Sequence, residues 1–317
     1  MGTGIGYGSA SVVDGKLYFS NGSSEVYALD AETGDESWRY RSDGRVVSSS
    51  SPTVTDEAVF VGIDDVLLAL DPETGDEKWS AATEGGSIEC SPTLIDGNVV
   101  VRAEKVYARD TVTGAVDWSV EIGNDSHTPP VAGDETVYLA GDDSIHAIRT
   151  EDGSRSWSVD VECAWKSTPT VSEDHVFVVG EDEELHALRA DTGSETWSVE
   201  IGEVMRTSPA VANGTIFISR SEWTSNELYA IDTDSGEVEW RFSDSSEPFS
   251  SAAVVGETVL VGQGGRLYAV DAVTGREEWS VELRGSVSLP AVADETVFVE
   301  SNDRYLYALE TGSRAES

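Results

Sequence analysis

Two cations, Lys166 and Arg206, stand in equivalent loops of a chain that has only four lysines in its 317 residues. They belong to a recurring loop position, three residues before a repeated proline or its equivalent, where the chain presents Tyr7, Ser49, Glu89, Ser126, Lys166, Arg206, Phe249 and Val287. His127, Cys90, Trp165 and Met205 lie beside them. Within an otherwise monotonous sequence this set is chemically diverse, as a ligand-facing position is. The pairing of Lys166 with Arg206 is useful if a carboxylate, another small anion or an acidic segment of a protein sits between them. Arg206 would offer a bidentate fork and Lys166 a point charge. Trp165 and Phe249 would add an apolar wall and His127 a donor. The competing reading is that Glu89 and the acidic surface already neutralise both cations.

No catalytic constellation is expected elsewhere, and no metal site. Of the four histidines, His127, His146, His175 and His186, two occupy one strand position where tyrosine stands in most other repeats. His146 and His186 therefore read as packing substitutes rather than ligands. The acidic runs Asp64-Asp65, Asp142-Asp143 and Glu181 to Glu184 fall in loops and could recruit a hard cation, yet they lack an EF-hand ligand series. Cys90 and Cys163 are far apart, with no metal-ligand or redox spacing.

Sixty acidic residues against twenty basic ones give a formal net charge of -40 and a pI near 4.1. The acid is spread through every turn instead of being gathered in a tail, so it belongs to the folded surface. Dispersed acidity with scarce lysine resembles proteins of extreme halophiles, in which molar salt shortens the Debye length to about 3 Å and quenches self-repulsion. Such a surface excludes nucleic acid as a partner, because counterion release needs a basic face. No run approaches the roughly 18 apolar residues of a membrane-spanning helix. The N-terminal MGTGIGYGSAS has neither a charged nor an apolar leader segment, which predicts a chain that stays inside the cell or begins after a removed signal.

The elements that must position these loops repeat along the chain. Trp38, Trp79, Trp118, Trp157, Trp197, Trp240 and Trp279 are separated by 41, 39, 39, 40, 43 and 39 residues. A fixed period near forty signals a repeat architecture before any local element is assigned. Each tryptophan closes one phrase, VYALDAETGDESW at Val26 to Trp38 and LYAVDAVTGREEW at Leu267 to Trp279. Alternation of Val26, Ala28 and Asp30 with Tyr27 and Leu29 reads as a strand. Thr-Gly supplies the turn, and a preceding Asp such as Asp30 can accept bonds from turn amides. Repeats four and five carry Arg149 and Arg189 there instead. Two further strand-like runs precede each phrase, so four short strands fill each period. That predicts an all-β, eight-bladed β-propeller of four-stranded antiparallel blades, a single domain over residues 1–317. The eighth copy, LYALETGSRAES, reaches no tryptophan. The N-terminal Gly2 to Tyr7 is expected to complete that blade, joining both ends of the chain in one sheet. Trp165 and Trp223 lie outside the repeat.

The phrase A-x-D-x-x-x-G-x-x-x-W, first seen as Ala28, Asp30, Gly34 and Trp38, resembles the tryptophan-docking repeat of PQQ-type propellers over essentially the whole chain. The resemblance implies that the seven repeat tryptophans staple neighbouring blades, each burying about 150 to 250 Å². The family divides into quinoprotein dehydrogenases, which hold PQQ and a metal on the propeller axis, and non-catalytic propellers such as BamB-type assembly lipoproteins. The chain departs from the enzymes: its cysteines are not adjacent, its blades have no long insertions beyond Ser221 to Asn226, and it has no haem motif. It is therefore read as a non-enzymatic scaffold with no cofactor expected; PQQ with Ca²⁺ in a quinoprotein-like oxidoreductase is the alternative, and a sensor propeller of a larger receptor or kinase a third. The expected partner is a protein or small anionic ligand, the expected state monomeric, and the family suggests an extracytoplasmic or cell-surface setting.

Overall fold

The computed structural model describes residues 10–21, 25–42, 51–122, 128–141, 143–161, 167–172, 174–202, 207–221, 226–244, 249–287, 289–293, 296–301, 303 and 305–310. Among them every regular element is a strand. Seven four-stranded antiparallel sheets and one three-stranded sheet follow one another in sequence, the blades of an eight-bladed β-propeller. Blade one is typical, with strands Ser11–Val13, Lys16–Asn21, Glu25–Asp30 and Glu36–Arg41. The eighth sheet comprises Ala291–Ala293, Thr296–Glu300 and Leu306–Glu310, and the expected closing segment, Gly2 to Tyr7, lies outside the described residues. The chain divides into two compact units, Met1–Asp142 with His146–Ser156, and Asp143–Ile145 with Trp157–Ser317.

The middle strands depart from the alternation read in the sequence. Val26, Tyr27 and Ala28 are all buried, as are Leu67 to Leu70. Both faces of such a sheet are covered, so apolar side chains are called for on each. In the first unit, Val26, Ala28 and Trp38 of blade one pack with Val59, Val61 and Leu70 of blade two. In the second, Phe177 and Ala187 of blade five pack with Ile216, Ile218 and Ile231 of blade six.

The repeat phrase folds as a hairpin with a bulge. Ala28 pairs with Trp38, and the register slips between Ala28 and Leu29. The same slip recurs at Ala69, Ala108, Ala187, Ala230 and Ala269. The Asp30 carboxylate accepts the amides of Glu32 and Thr33 at 3.0 and 2.7 Å, which holds its carboxyl below the usual range. Positive φ at the turn glycine follows, 72° at Gly34.

Tryptophan joins consecutive blades through a main-chain acceptor. The Trp38 indole Nε1 donates to the Pro72 carbonyl at 2.9 Å, Trp79 to Thr111 at 3.0 Å and Trp118 to Thr150 at 2.7 Å. Trp157 donates to Ala190, Trp197 to Thr233 and Trp240 to Ala272 at 2.9 to 3.1 Å. Each ring lies on the turn glycine of the receiving blade. A Cβ on Gly75 would come within 2.6 Å of Trp38, and one on Gly153 within 2.9 Å of Trp118. Glycine is thus required twice, for its φ and for the contact.

A second series of links joins the innermost strands. Hydroxyls of Ser11, Thr53 and Thr93 donate to the carbonyls of Pro52, Pro92 and Pro130, each at 2.6 Å, and Thr170 donates to Pro209 at 2.5 Å. The sequence reading missed this series, although its signal was present in the hydroxyl residue of the repeated Ser-Pro-Thr.

Candidate functional site

Of the residues expected to bind a ligand, Lys166, Arg206, Trp165 and His127 lie outside the described residues. Glu89 is described and exposed, at the end of the loop that enters blade three. Its neighbour Cys90 is buried, and burial pushes the thiol up to about 11. Phe249 is buried in an apolar cluster, its ring 6.0 Å from Phe242 and 6.3 Å from Tyr268.

Chemistry gathers instead at the strand position shared by His146 and His186. In blades six, seven and eight the tyrosine at this position donates its hydroxyl hydrogen bond to a carboxylate. Tyr229 donates to Glu227 at 3.1 Å, Tyr268 to Asp244 at 2.5 Å and Tyr307 to Asp303 at 2.7 Å. Burial and that carboxylate together push Tyr268 up to about 12. Arginine often covers the ring, as Arg241 does 4.8 Å above Tyr229. The position therefore offers a buried aromatic ring whose polar tip meets charge, more than packing alone.

Blade five uses it most fully. His186, 7% exposed, sits in the strand Glu184–Arg189 and pairs across to Ser198 in the outer strand Glu195–Glu200. Its Nδ1 is 2.9 Å from Glu195 Oε2, and its Nε2 is 3.2 Å from Asp182 Oδ1. Burial alone would lower the imidazole pKa, but the two carboxylates outweigh it and raise it. The tight turn from Gly180 to Glu184 presents Asp182, and Gly180 accepts the close approach: a Cβ there would lie 2.1 Å from Asp182 Oδ1 and 2.9 Å from His186 Nε2. Asp182, Glu184 and His186 each place one ligand atom within 4.8 Å of the others. The sequence reading held the run Glu181 to Glu184 and His186 apart, one as a loop and the other as packing. Their signal was the spacing of Asp182 and His186, four apart across a hairpin turn.

Blade four carries the same histidine in different company. His146 is 6% exposed, and burial with the guanidinium groups of Arg155 and Arg102 draws it down to about 4. Arg155 opens the outer strand Arg155–Asp160, as Glu195 opens that of blade five. Arg102 is itself buried and donates to the Ala140 carbonyl. Asp142, four residues before His146, lies outside the described residues.

In the first unit, an open pocket of about 620 Å³ is lined by Asp56, Glu57, Lys78, Asp96, Asn98 and Val112, among others. It lies against the hairpin turns of blades two and three, and three carboxylates, Asp56, Glu57 and Asp96, share its wall with Lys78.

An all-β propeller of forty-residue blades, stapled by indole and hydroxyl links, defines a repeat scaffold whose identity rests on comparison. The family model of the outer membrane protein assembly factor BamB matches residues 1–94, 90–164, 141–265 and 248–315, and the chain belongs to that family. BamB from Moraxella catarrhalis superposes with a TM-score of 0.81 at 18% identity, over 96% of each chain. The computationally designed Ika8 protein gives 0.80 at 15% identity, over 95% of each. Quinohemoprotein alcohol dehydrogenase from Comamonas testosteroni gives 0.77 at 16% identity, over 93% of this chain and 70% of that one. A search of curated proteins found no match. With 1615 solved chains matching, these likenesses show the fold alone.

Proposed function

We propose that the chain is a non-enzymatic propeller scaffold that binds a protein or small anionic ligand through the loops leading into its innermost strands. The observation that carries this reading is where the repeated residues are spent. Tryptophan, turn glycine, turn aspartate and inner hydroxyl all serve the joints between strands and blades, and blades of about forty residues leave only short loops to vary. Membership of the BamB family supports it. Lys166 and Arg206 are the cations assigned to the ligand, because a chain of net charge -40 has little other means of holding an anion.

The test is direct. Purified chain supplied with PQQ and Ca²⁺ should reduce no dye with alcohols or aldoses; turnover would restore the quinoprotein alternative. A labelled polyglutamate peptide should bind the parent, and a Lys166→Ala, Arg206→Ala double variant should lose most of that binding. Equal binding by both would remove the assignment. Adaptation to molar salt belongs to the same proposal. Dilution to about 0.01 M stretches the Debye length to roughly 30 Å, and β structure or compactness should then be lost cooperatively in circular dichroism or scattering. Unchanged signals would contradict it.

A further inference from the structure

We propose that Asp182, Glu184 and His186 of blade five form a binding site for a divalent metal ion of the Zn²⁺ class. Three features of the site converge on it. The donor set is mixed, one imidazole nitrogen and two carboxylates, which suits Zn²⁺, Co²⁺ or Ni²⁺ better than the all-oxygen shells of Ca²⁺ and Mg²⁺. The spacing matches what coordination needs along one edge, and the Glu184 ligand atom lies within 4.8 Å of the other two. With metal–ligand arms of about 2.0 to 2.2 Å, the edge of a tetrahedral site is about 3.3 Å, and His186 Nε2 lies 3.2 Å from Asp182 Oδ1. Three protein ligands leave the fourth position to water.

The histidine is also held as a ligand histidine is held. It is buried, and Glu195 Oε2 takes its Nδ1 at 2.9 Å, which fixes the ring and directs Nε2 toward Asp182. This carboxylate–imidazole–metal order is a common outer-sphere arrangement that orients the ring and raises its basicity. Gly180 keeps the cradle open, since any Cβ there would displace the Asp182 carboxylate. The Asp182 side chain is 57% exposed, so an ion can enter from solvent. On binding, Nε2 gives up any proton it carries to water and offers its lone pair to the metal; the carboxylates bind ionised, and no redox step is involved. Among the described residues this is the one group of three such ligands.

The experiment uses the full chain without a purification tag, stripped with EDTA and titrated with ZnCl₂ by calorimetry in molar NaCl with excess Mg²⁺ to occupy the diffuse acidic surface. The expected result is one tight Zn²⁺ per chain. Asp182→Asn, an exposed change that leaves the core intact, and His186→Gln should each weaken it at least tenfold. Glu195→Gln should weaken it about tenfold, as loss of outer-sphere partners does. Gly180→Ala should weaken it too, and His146→Gln should leave it unchanged. Co²⁺ should give visible bands of tetrahedral type that vanish in His186→Gln. The proposal is overturned if Asp182→Asn binds Zn²⁺ as tightly as the parent, if Mg²⁺ competes on equal terms, or if His146→Gln loses as much. Any of these would leave His186 as an ion-paired structural residue.

Discussion

Blades four and five place histidine at one strand position, equally buried, yet the two imidazole pKa values move in opposite directions. The residue that opens the outer strand differs between them, Arg155 in one and Glu195 in the other. In blade four, burial, Arg155 and Arg102 all disfavour the proton, and His146 is neutral down to about pH 4. In blade five, burial opposes the proton but Glu195 and Asp182 win, so the charged form persists above the ordinary value of 6.5. Burial alone does not set the state of a ring; the sign of its nearest charged neighbours decides it.

The comparison depends on both blades being stapled alike. Trp118 docks onto blade four and Trp157 onto blade five through the same carbonyl and glycine geometry. Trp118→Ala and Trp157→Ala should each destabilise by about 3 to 5 kcal/mol in denaturant unfolding. If one cost far less than the other, the frames holding the two histidines would differ and the contrast would lose its basis.

Acid should next separate the rings. His146 binds a proton near pH 6.5 when unfolded but only near 4 when folded, so its contribution is present above 6.5 and falls away as pH drops toward 4. His146→Gln should flatten that part of the stability curve by about 3 kcal/mol. His186, in metal-free protein, has the reverse sign: its contribution is complete below 6.5 and is lost as pH rises through its raised value. Imidazole NMR titrations should show the two midpoints on opposite sides of 6.5. Midpoints on the same side would end the comparison.

Exchanging the neighbours sharpens it further. Arg155→Glu should raise the His146 midpoint and Glu195→Arg should lower that of His186, each by about one pH unit. A shift confined to one blade would show that Arg102 or Asp182 dominates instead. The smallest effect lies at the turns, where blades four and five carry Arg149 and Arg189 in place of Asp. Arg149→Asp would supply the amide acceptor that Asp110 gives Thr113 at 2.7 Å in blade three, and should stabilise by about 0.5 to 1 kcal/mol.

The period of the tryptophans made the propeller legible, because one indole per forty residues has few other structural uses. The turn aspartates and glycines were legible for the same reason. What the sequence hid was set by pairing across strands. The bulge beside each Ala–Trp pair, the burial of Val26 and Tyr27 alike, and the hydroxyl links from Thr53 and Thr93 depend on which residues come opposite one another. His186 was read as packing because the strand position alone is visible in sequence. Its partners come from a turn and from the next strand, which only register brings together. Lys166 and Arg206 were singled out by diversity at a fixed position, a signal that speaks of variation rather than geometry, and both lie outside the described residues.

The staples bond to a carbonyl, and that choice bears on how such a chain can grow. A carbonyl belongs to every residue, so Pro72, Thr111, Thr150, Ala190, Thr233 and Ala272 serve equally as receivers. Apart from the turn glycine, a blade need not match its neighbour by side chain. A duplicated or transplanted blade would find a compatible partner at once, without a second mutation to suit it. The same indifference means that the staples carry no count. They accept any next blade and say nothing of which blade is last, so the number of blades must be fixed by the shape of each sheet and by how the final one is completed.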